Sequence, residues 1–294
     1  MTITRRIPIL AAMSLLAAAC EMRADAQSRM PVRDSGTMTR TLRFDGSGDR
    51  TVDVRTINGS IRVIAADRPD VQLDARRRVR ARSEEDVARA DRDVTLEILD
   101  EASRVGAIVQ GPEGDVCGEP SNGRRTWRRQ DYSVEYELSV QVPRQIRLRL
   151  CAINGGDLEV DGADGDFDIS NVNGGITLRN LRGSGNAETV NGALVATFLD
   201  VPRSEMRLKT LNGNLDATFP ASLAADLLLK TFNGDLFTDF DVQRLPRLMA
   251  SERRNGGDLY VYRSDGSARV RVGAGGPTIT LETFNGDVRL RRGR

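Results

Sequence analysis

An all-β fold built from short stacked repeats is predicted by three features of this sequence: a recurrent Thr-x-Asn-Gly signature, the even spacing of its copies, and alternating apolar residues on both sides of each copy. The signature stands at Thr56-Ile57-Asn58-Gly59, Thr189-Val190-Asn191-Gly192, Thr210-Leu211-Asn212-Gly213, Thr231-Phe232-Asn233-Gly234 and Thr283-Phe284-Asn285-Gly286. Looser copies stand at Ala152-Ile153-Asn154-Gly155 and Asn171-Val172-Asn173-Gly174. From Asn154 through Asn173, Asn191 and Asn212 to Asn233 the steps are 19, 18, 21 and 21 residues, a period that marks a stacked architecture.

Each copy carries the same local physics. Asn-Gly accepts a left-handed backbone that other residues reach only at a cost of about 1–2 kcal/mol, so the chain corners or reverses there. Before Asn212, Met206, Leu208 and Thr210 share one parity; after it, Leu215, Ala217 and Phe219 face the same side. Ile169 with Leu178, Leu229 with Leu236, and Leu281 with Leu290 follow the same rule. Second turns fall between the Asn-Gly pairs, at Asp161-Gly162, Arg182-Gly183-Ser184-Gly185, Val201-Pro202-Arg203 and Pro220-Ala221-Ser222, so each repeat holds two short strands and two turns.

That pattern admits two folds. An antiparallel meander or sandwich would use Asn-Gly as a type I′ hairpin turn. A β-solenoid would use it as a corner and lay each repeat on the last, so that Thr, the apolar residue and Asn superimpose as ladders of like side chains. Local signals alone do not separate the two; the ladders favour the solenoid, and much of that preference comes from the family resemblance given below.

In chain order, Arg5 and Arg6 precede an apolar run, Ile7 to Ala19, too short to span a bilayer comfortably, and the segment reads as a signal peptide. Residues 1–26 are removed if cleavage follows Ala24-Asp25-Ala26; residues 1–19 are removed if Cys20 is a lipidated cysteine, which would add a lipid anchor. Residues 27–35 are expected as a flexible leader and 36–142 as an irregular β-rich part. Its strands are predicted at Thr51 to Ala65, Val71 to Arg80, Val94 to Leu99, Arg104 to Gln110 and Tyr132 to Val142. One short helix interrupts them, opened by the capping sequence Ser83-Glu84-Glu85-Asp86. A loop is expected over 112–130, and residues 143–294 hold the closely spaced repeats.

Composition narrows the chemistry. With 43 basic and 42 acidic side chains the net charge is +1, which gives no electrostatic footprint for nucleic acid. No histidine is present, so the commonest general base, the usual zinc ligand and every Ser-His or Cys-His pair are excluded. No cofactor is expected. No segment after the leader is apolar enough for a transmembrane helix. Cys117 and Cys151 are expected to pair as a disulfide in an oxidising compartment, the alternative being two buried thiols.

Two stretches carry a family resemblance. Val52-Asp53-Val54-Arg55-Thr56-Ile57-Asn58-Gly59-Ser60-Ile61-Arg62-Val63 resembles the opening of the putative-adhesin β-strand repeat family, and Tyr136-Glu137-Leu138-Ser139-Val140-Gln141-Val142-Pro143 resembles its strand ending in Val-Pro. The resemblance implies a β-solenoid of the toast-rack kind and offers no catalytic residues to carry over. The expectation is therefore an exported, non-catalytic, adhesin-like module of the periplasm, outer membrane or cell surface. Its partners would be envelope polymers (glycan or peptidoglycan) or another envelope protein. The alternatives are a carbohydrate-active β-helix enzyme and an envelope-stress sensor acting through protein partners.

Four clusters invite chemistry. Asp157, Asp161, Asp164, Asp166 and Asp168 could offer oxygens to calcium, yet the spacing fits no EF-hand loop and solvated turns explain it. Outward acids such as Asp216 and Glu282 could form a hydrolytic pair, but a soluble face accounts for them. Trp127 among Arg124, Arg125, Arg128 and Arg129 could contact a sugar or an anionic group, with Trp127, Arg125 and Arg128 as the candidate ligand contacts. The terminal Arg289, Arg291, Arg292 and Arg294 read as charged protection of a sheet edge.

Overall fold

The computed structural model describes residues 30–46, 48–112, 117, 131–246, 251–253, 260–262 and 267–293. Cys20, the signal peptide over residues 1–26 and the Trp127, Arg125 and Arg128 cluster lie outside the described residues.

The N-terminal part runs β1 (Val32–Leu42), β2 (Thr51–Asn58), β3 (Ile61–Ala66), β4 (Val71–Ala81), α1 (Glu84–Asp93), β5 (Thr95–Asp100), β6 (Arg104–Gln110) and β7 (Tyr132–Pro143). The repeats follow as β8 (Arg147–Asn154), β9 (Leu158–Asp161), β10 (Phe167–Asn173), β11 (Ile176–Leu181), β12 (Gly185–Asn191), β13 (Leu194–Phe198), β14 (Met206–Asn212) and β15 (Leu215–Phe219). After them come β16 (Ala225–Lys230), β17 (Leu236–Thr238), β18 (Val242–Arg244), β19 (Ser251–Arg253), β20 (Tyr260–Tyr262), β21 (Ser267–Val272), β22 (Thr278–Asn285) and β23 (Val288–Arg292). Among the described residues the fold is all-β with one helix, and β1 already begins inside the stretch expected as a leader.

Two large mixed sheets hold these strands, and neither closes into a barrel. The first runs β1-β4-β7-β3-β9-β11-β13-β15-β23-β17 and the second β18-β21-β16-β22-β14-β12-β10-β8-β2-β6-β5, with β19 and β20 paired apart. From β8 to β15 successive strands alternate between the sheets, so the strands on either side of each Asn-Gly belong to opposite sheets. Within each sheet the repeat strands pair in parallel and in register. Asn58 lies beside Asn154, Asn154 beside Asn173, Asn191 beside Asn212, and Asn212 beside Asn285. Antiparallel pairing is found at the two ends, in β1-β4-β7, β5-β6 and β16-β21-β18.

Spatial order departs from chain order at the C-terminal end. The last signature, on β22 and β23, is seated between the repeat of β14-β15 and that of β16-β17. Of the arginines expected at an edge, Arg289, Arg291 and Arg292 therefore lie on a strand inside a sheet, since β23 pairs with β15 on one side and β17 on the other, and Arg294 lies outside the described residues. Arg291 Nη2 lies 3.0 Å from Asp216 Oδ1, Arg289 Nη2 lies 2.6 Å from Asp287 Oδ2, and the Arg292 guanidinium sits 5.1 Å from the Phe240 ring centre. They are neutralised or stacked on neighbours, which is what a paired strand requires of its outward charges.

The core lies between the sheets and is built of like residues in rows, as the period-2 alternation dictates. On the second sheet Leu150, Ile169, Ala187, Leu208, Leu281 and Leu229 form one row; on the first, Leu158, Ile176, Leu194, Leu215 and Val288 form another, all buried. Phe167, Phe198 and Phe219 line the opposite corner, with ring centres 6.3 and 4.7 Å apart.

Helix α1 starts where the capping sequence predicts, since the Ser83 hydroxyl accepts from the Asp86 N–H at 3.2 Å. It lies against β4 and β7. Beside its end the Tyr132 hydroxyl donates to Asp93 at 2.6 Å, and burial, reinforced by that bond and by the Asp93 charge, raises the Tyr132 pKa above its ordinary value. The folded form thus holds this proton more tightly than the unfolded chain. Its contribution to stability is complete below about pH 10 and is lost as pH rises through the folded value, a decline that alkaline urea titrations read against a Tyr132→Phe variant.

Cys117 and Cys151 form a disulfide with Cα atoms 6.1 Å apart, tying residue 117 to β8. The bridge closes a span of 34 residues, so removing it in a Cys117→Ser, Cys151→Ser variant is expected to lower stability by roughly 3 kcal/mol, measured by urea denaturation.

Candidate functional site: the Asn-Gly edge

Where the two sheets meet at the Asn-Gly corners, each residue of the signature has a distinct task. The threonine points inward and ties one repeat to the next: the hydroxyls of Thr189, Thr210, Thr283 and Thr231 donate to the carbonyls of Gly174, Gly192, Gly213 and Gly286 at 2.7, 2.8, 2.9 and 2.9 Å. In one looser copy Asn171 takes the threonine's place, and its amide donates to the Gly156 and Gly175 carbonyls at 3.0 and 3.2 Å. Its own Oδ1 is buried with no hydrogen-bond partner. A buried acceptor left unmet costs about 1–3 kcal/mol, and threonine supplies the donor without it. Asn171→Thr is therefore expected to stabilise the protein by about 1 kcal/mol or more, read as a raised urea midpoint at constant m.

The glycines stand in a column. A Cβ on Gly156, Gly174, Gly192, Gly213, Gly286 or Gly234 would lie 2.0–2.4 Å from the carbonyl oxygen of the glycine beside it. Sequence reasoning missed Gly156. The turn after Asn154 has one residue more than the others, because Leu158, four residues on, aligns with Ile176, three residues after Asn173. Gly155 is the additional residue: it has φ +81° and open space around it, while Gly156 abuts Gly59. The lengthened Asn-to-aliphatic spacing was the available signal.

The asparagines project outward and join side chain to side chain. Asn173 donates to Asn154 at 2.8 Å, Asn191 to Asn173 at 2.8 Å, Asn212 to Asn191 at 2.8 Å, Asn285 to Asn212 at 2.7 Å and Asn233 to Asn285 at 2.7 Å. At the other end the Asn58 amide donates to the Val134 carbonyl at 3.1 Å. All five side-chain bonds run in one direction, and each uses one of the two amide hydrogens.

Beside the asparagines runs an apolar stripe formed by the variable residue of the signature. In spatial order it comprises Ile57, Ile153, Val172, Val190, Leu211, Phe284 and Phe232. Val190, Leu211, Phe284 and Phe232 are 37, 40, 44 and 71% exposed, and the Phe232 and Phe284 rings stack with centres 4.8 Å apart. Ile57, Ile153 and Val172 are half-buried, so the exposed part runs from Val190 to Phe232, and a run of exposed apolar side chains is the kind of surface that proteins use for contact.

The other sequence candidates are dispersed. Asp157 accepts from the Gly175 N–H at 2.7 Å, Asp161 from the Asn180 amide at 2.9 Å, and Asp166 from Arg147 at 3.1 Å. Among the described residues no three acidic or cysteine side chains gather as metal ligands. Asp216 and Glu282 lie on different sheets and are engaged by Arg291 and Lys230. On the outer face of the second sheet, fully buried Asp53 accepts from Arg55 at 2.7 and 2.8 Å and from Arg104 at 2.9 Å, with Arg149 at 4.0 Å. This cluster pins β2, β6 and β8 together, and the sequence alone did not single it out.

No family model matches this chain, and no curated protein matches it. It is similar to the solved structure of a putative cell adhesion protein from Clostridium sporogenes, at 8% identity and TM-score 0.42 over 88% of this chain and 100% of that one. It is also similar to that of a putative adhesin from Bacteroides fragilis, at 9% identity and TM-score 0.36 over 87% and 97%. A further similar structure is that of a putative lipid binding protein from Parabacteroides distasonis, at 8% identity and TM-score 0.25 over 90% and 98%.

Proposed function

We propose that this chain is an exported, non-catalytic envelope protein, an adhesin-like module whose repeats form a β-solenoid and whose Asn-Gly edge is its contact surface. The observation that carries the reading is the apolar stripe beside the asparagine ladder, exposed over Val190, Leu211, Phe284 and Phe232 and aligned by in-register parallel pairing. Binding by such an edge uses shape and repeated identical groups in place of reactive side chains. Its partners are envelope glycan, peptidoglycan or another envelope protein. Export rests on the leader, ending after Ala26 or at a lipidated Cys20, and agrees with the Cys117–Cys151 bridge. Among the described residues no helix is long and apolar enough to cross a membrane.

Cell fractionation tests the location, and sedimentation with purified peptidoglycan and outer-membrane fragments tests the binding. The protein is expected in the envelope fractions and in the pellet. A Phe232→Ser, Phe284→Ser variant with an unchanged melting curve is expected to stay in the supernatant. Recovery in the cytoplasm alone overturns the reading; retained binding by that variant but not by Trp127→Ala, Arg128→Ala moves the contact to the arginine-rich loop.

A further inference from the structure

Strands at sheet edges carry unpaired backbone groups and need either protection or a partner. Four strands end the two large sheets. β17 and β18 are only 3 residues long, and β5, 6 residues long, carries the acids Glu97 and Asp100 with no base to answer them in another copy. β1 differs: it is 11 residues long, and among the described residues it pairs only with β4. Ser35, Gly36 and Thr37 at its centre are exposed.

The sequence of β1 is complementary to itself when reversed. Two copies of one strand pair antiparallel across a two-fold axis only if paired residue numbers sum to an even value, because backbone groups alternate in direction along the strand. Full overlap of Val32–Leu42 meets this condition with Thr37 on the axis. In that register Asp34 faces Arg40 of the second copy, and the symmetry repeats the pair. Val32 faces Leu42, Ser35 faces Thr39, Arg33 faces Thr41, and Gly36 leaves room opposite Met38. Sliding by two residues either way removes the charge pairing: Asp34 then meets Met38 or Leu42, and in the latter register Arg33 meets Arg43.

We propose that β1 is a homodimer interface, in which two copies of this chain join their first sheets edge to edge across a two-fold axis at Thr37. The charges on β1 then act as a register key. This inference goes beyond the reading of the Asn-Gly edge and does not rest on it, since β1 stands at the far end of the first sheet from β17.

The test uses the exported form recovered from cells, in a Cys20→Ser background, by light scattering after gel filtration over a concentration series. A concentration-dependent dimer is expected. Thr37→Cys should give a covalent dimer on mild oxidation, because paired Cα atoms about 4.5–5.5 Å apart suit a disulfide. Thr41→Cys should not, since it faces Arg33. Asp34→Arg or Arg40→Glu should each weaken the dimer about tenfold, and the double exchange should restore it, whereas an effect limited to local folding would persist in the double variant. A monomer at every concentration with no Thr37→Cys cross-link overturns the proposal, as does equal cross-linking through Thr41→Cys.

Discussion

A stop codon after Gly276, which deletes β22 and β23, is expected to abolish cooperative folding. In most stacked proteins the last repeat is an outer layer, and its loss trims one interface. Here the deleted strands are an inner layer. Asn285 and Asp287 carbonyls accept from Gly213 and Leu215, and Gly286 and Val288 of the same corner donate to Asn233 and Asp235, each at 2.9 Å. Ile279, Leu281, Val288 and Leu290 are fully buried, and at about 1.5–3 kcal/mol each their burial represents roughly 6–12 kcal/mol. That is comparable to the whole stability of an ordinary domain. The deletion also leaves β14-β15 and β16-β17 facing a gap two strands deep. Circular dichroism and urea titration should show a broad, weak transition or none. A control stop after Arg292 should melt like the intact chain, and an intact transition in the longer deletion would contradict the inner-layer arrangement.

The second large effect is expected from Gly286→Ala. At this corner φ is +143°, and a Cβ would lie 2.2 Å from the Gly213 carbonyl oxygen and 2.6 Å from its carbon. Both obstacles are backbone, fixed by pairing on each side, so the alanine is accommodated only by forcing two repeats apart. The loss should reach about 3 kcal/mol or more, combining left-handed strain with overpacking. Gly155→Ala is the matched comparison. Its φ is +81° and nothing lies within 4 Å of the added methyl, so only the conformational cost of about 1–2 kcal/mol applies. Thermal melts of the pair separate steric stacking from turn geometry; equal losses would show that the glycine column is not in contact.

Much of this fold could be read from residues alone because its determinants are local. The signature located the corners, the parity of Met206, Leu208 and Leu215 assigned the inward faces, and Ser83 marked the start of α1. Spatial order could not be read in the same way. Copies of Thr-x-Asn-Gly are interchangeable in the shape they offer, so nothing in Thr283-Phe284-Asn285-Gly286 says which two copies it sits between. The one hint was distance along the chain: Asn233 and Asn285 are 52 residues apart, against a usual step of 18–21. The same blindness put Arg289 and Arg291 at an edge, since their charge suits a border and says nothing of partners 75 residues earlier. For the site, the apolar residues of the signature were visible as a list, but their union into one exposed stripe depends on register. The Asp53 cluster is assembled from β2, β6 and β8, and no sequence window contains all of it.

The seating of β22 and β23 between older neighbours also sets a timetable. Neither sheet can be completed until β22 and β23 have been made, because these two strands follow every other described strand in the chain and yet fill an inner slot. Contacts of such long reach form slowly. A polypeptide built to this plan stays open between β15 and β17 until those two strands arrive.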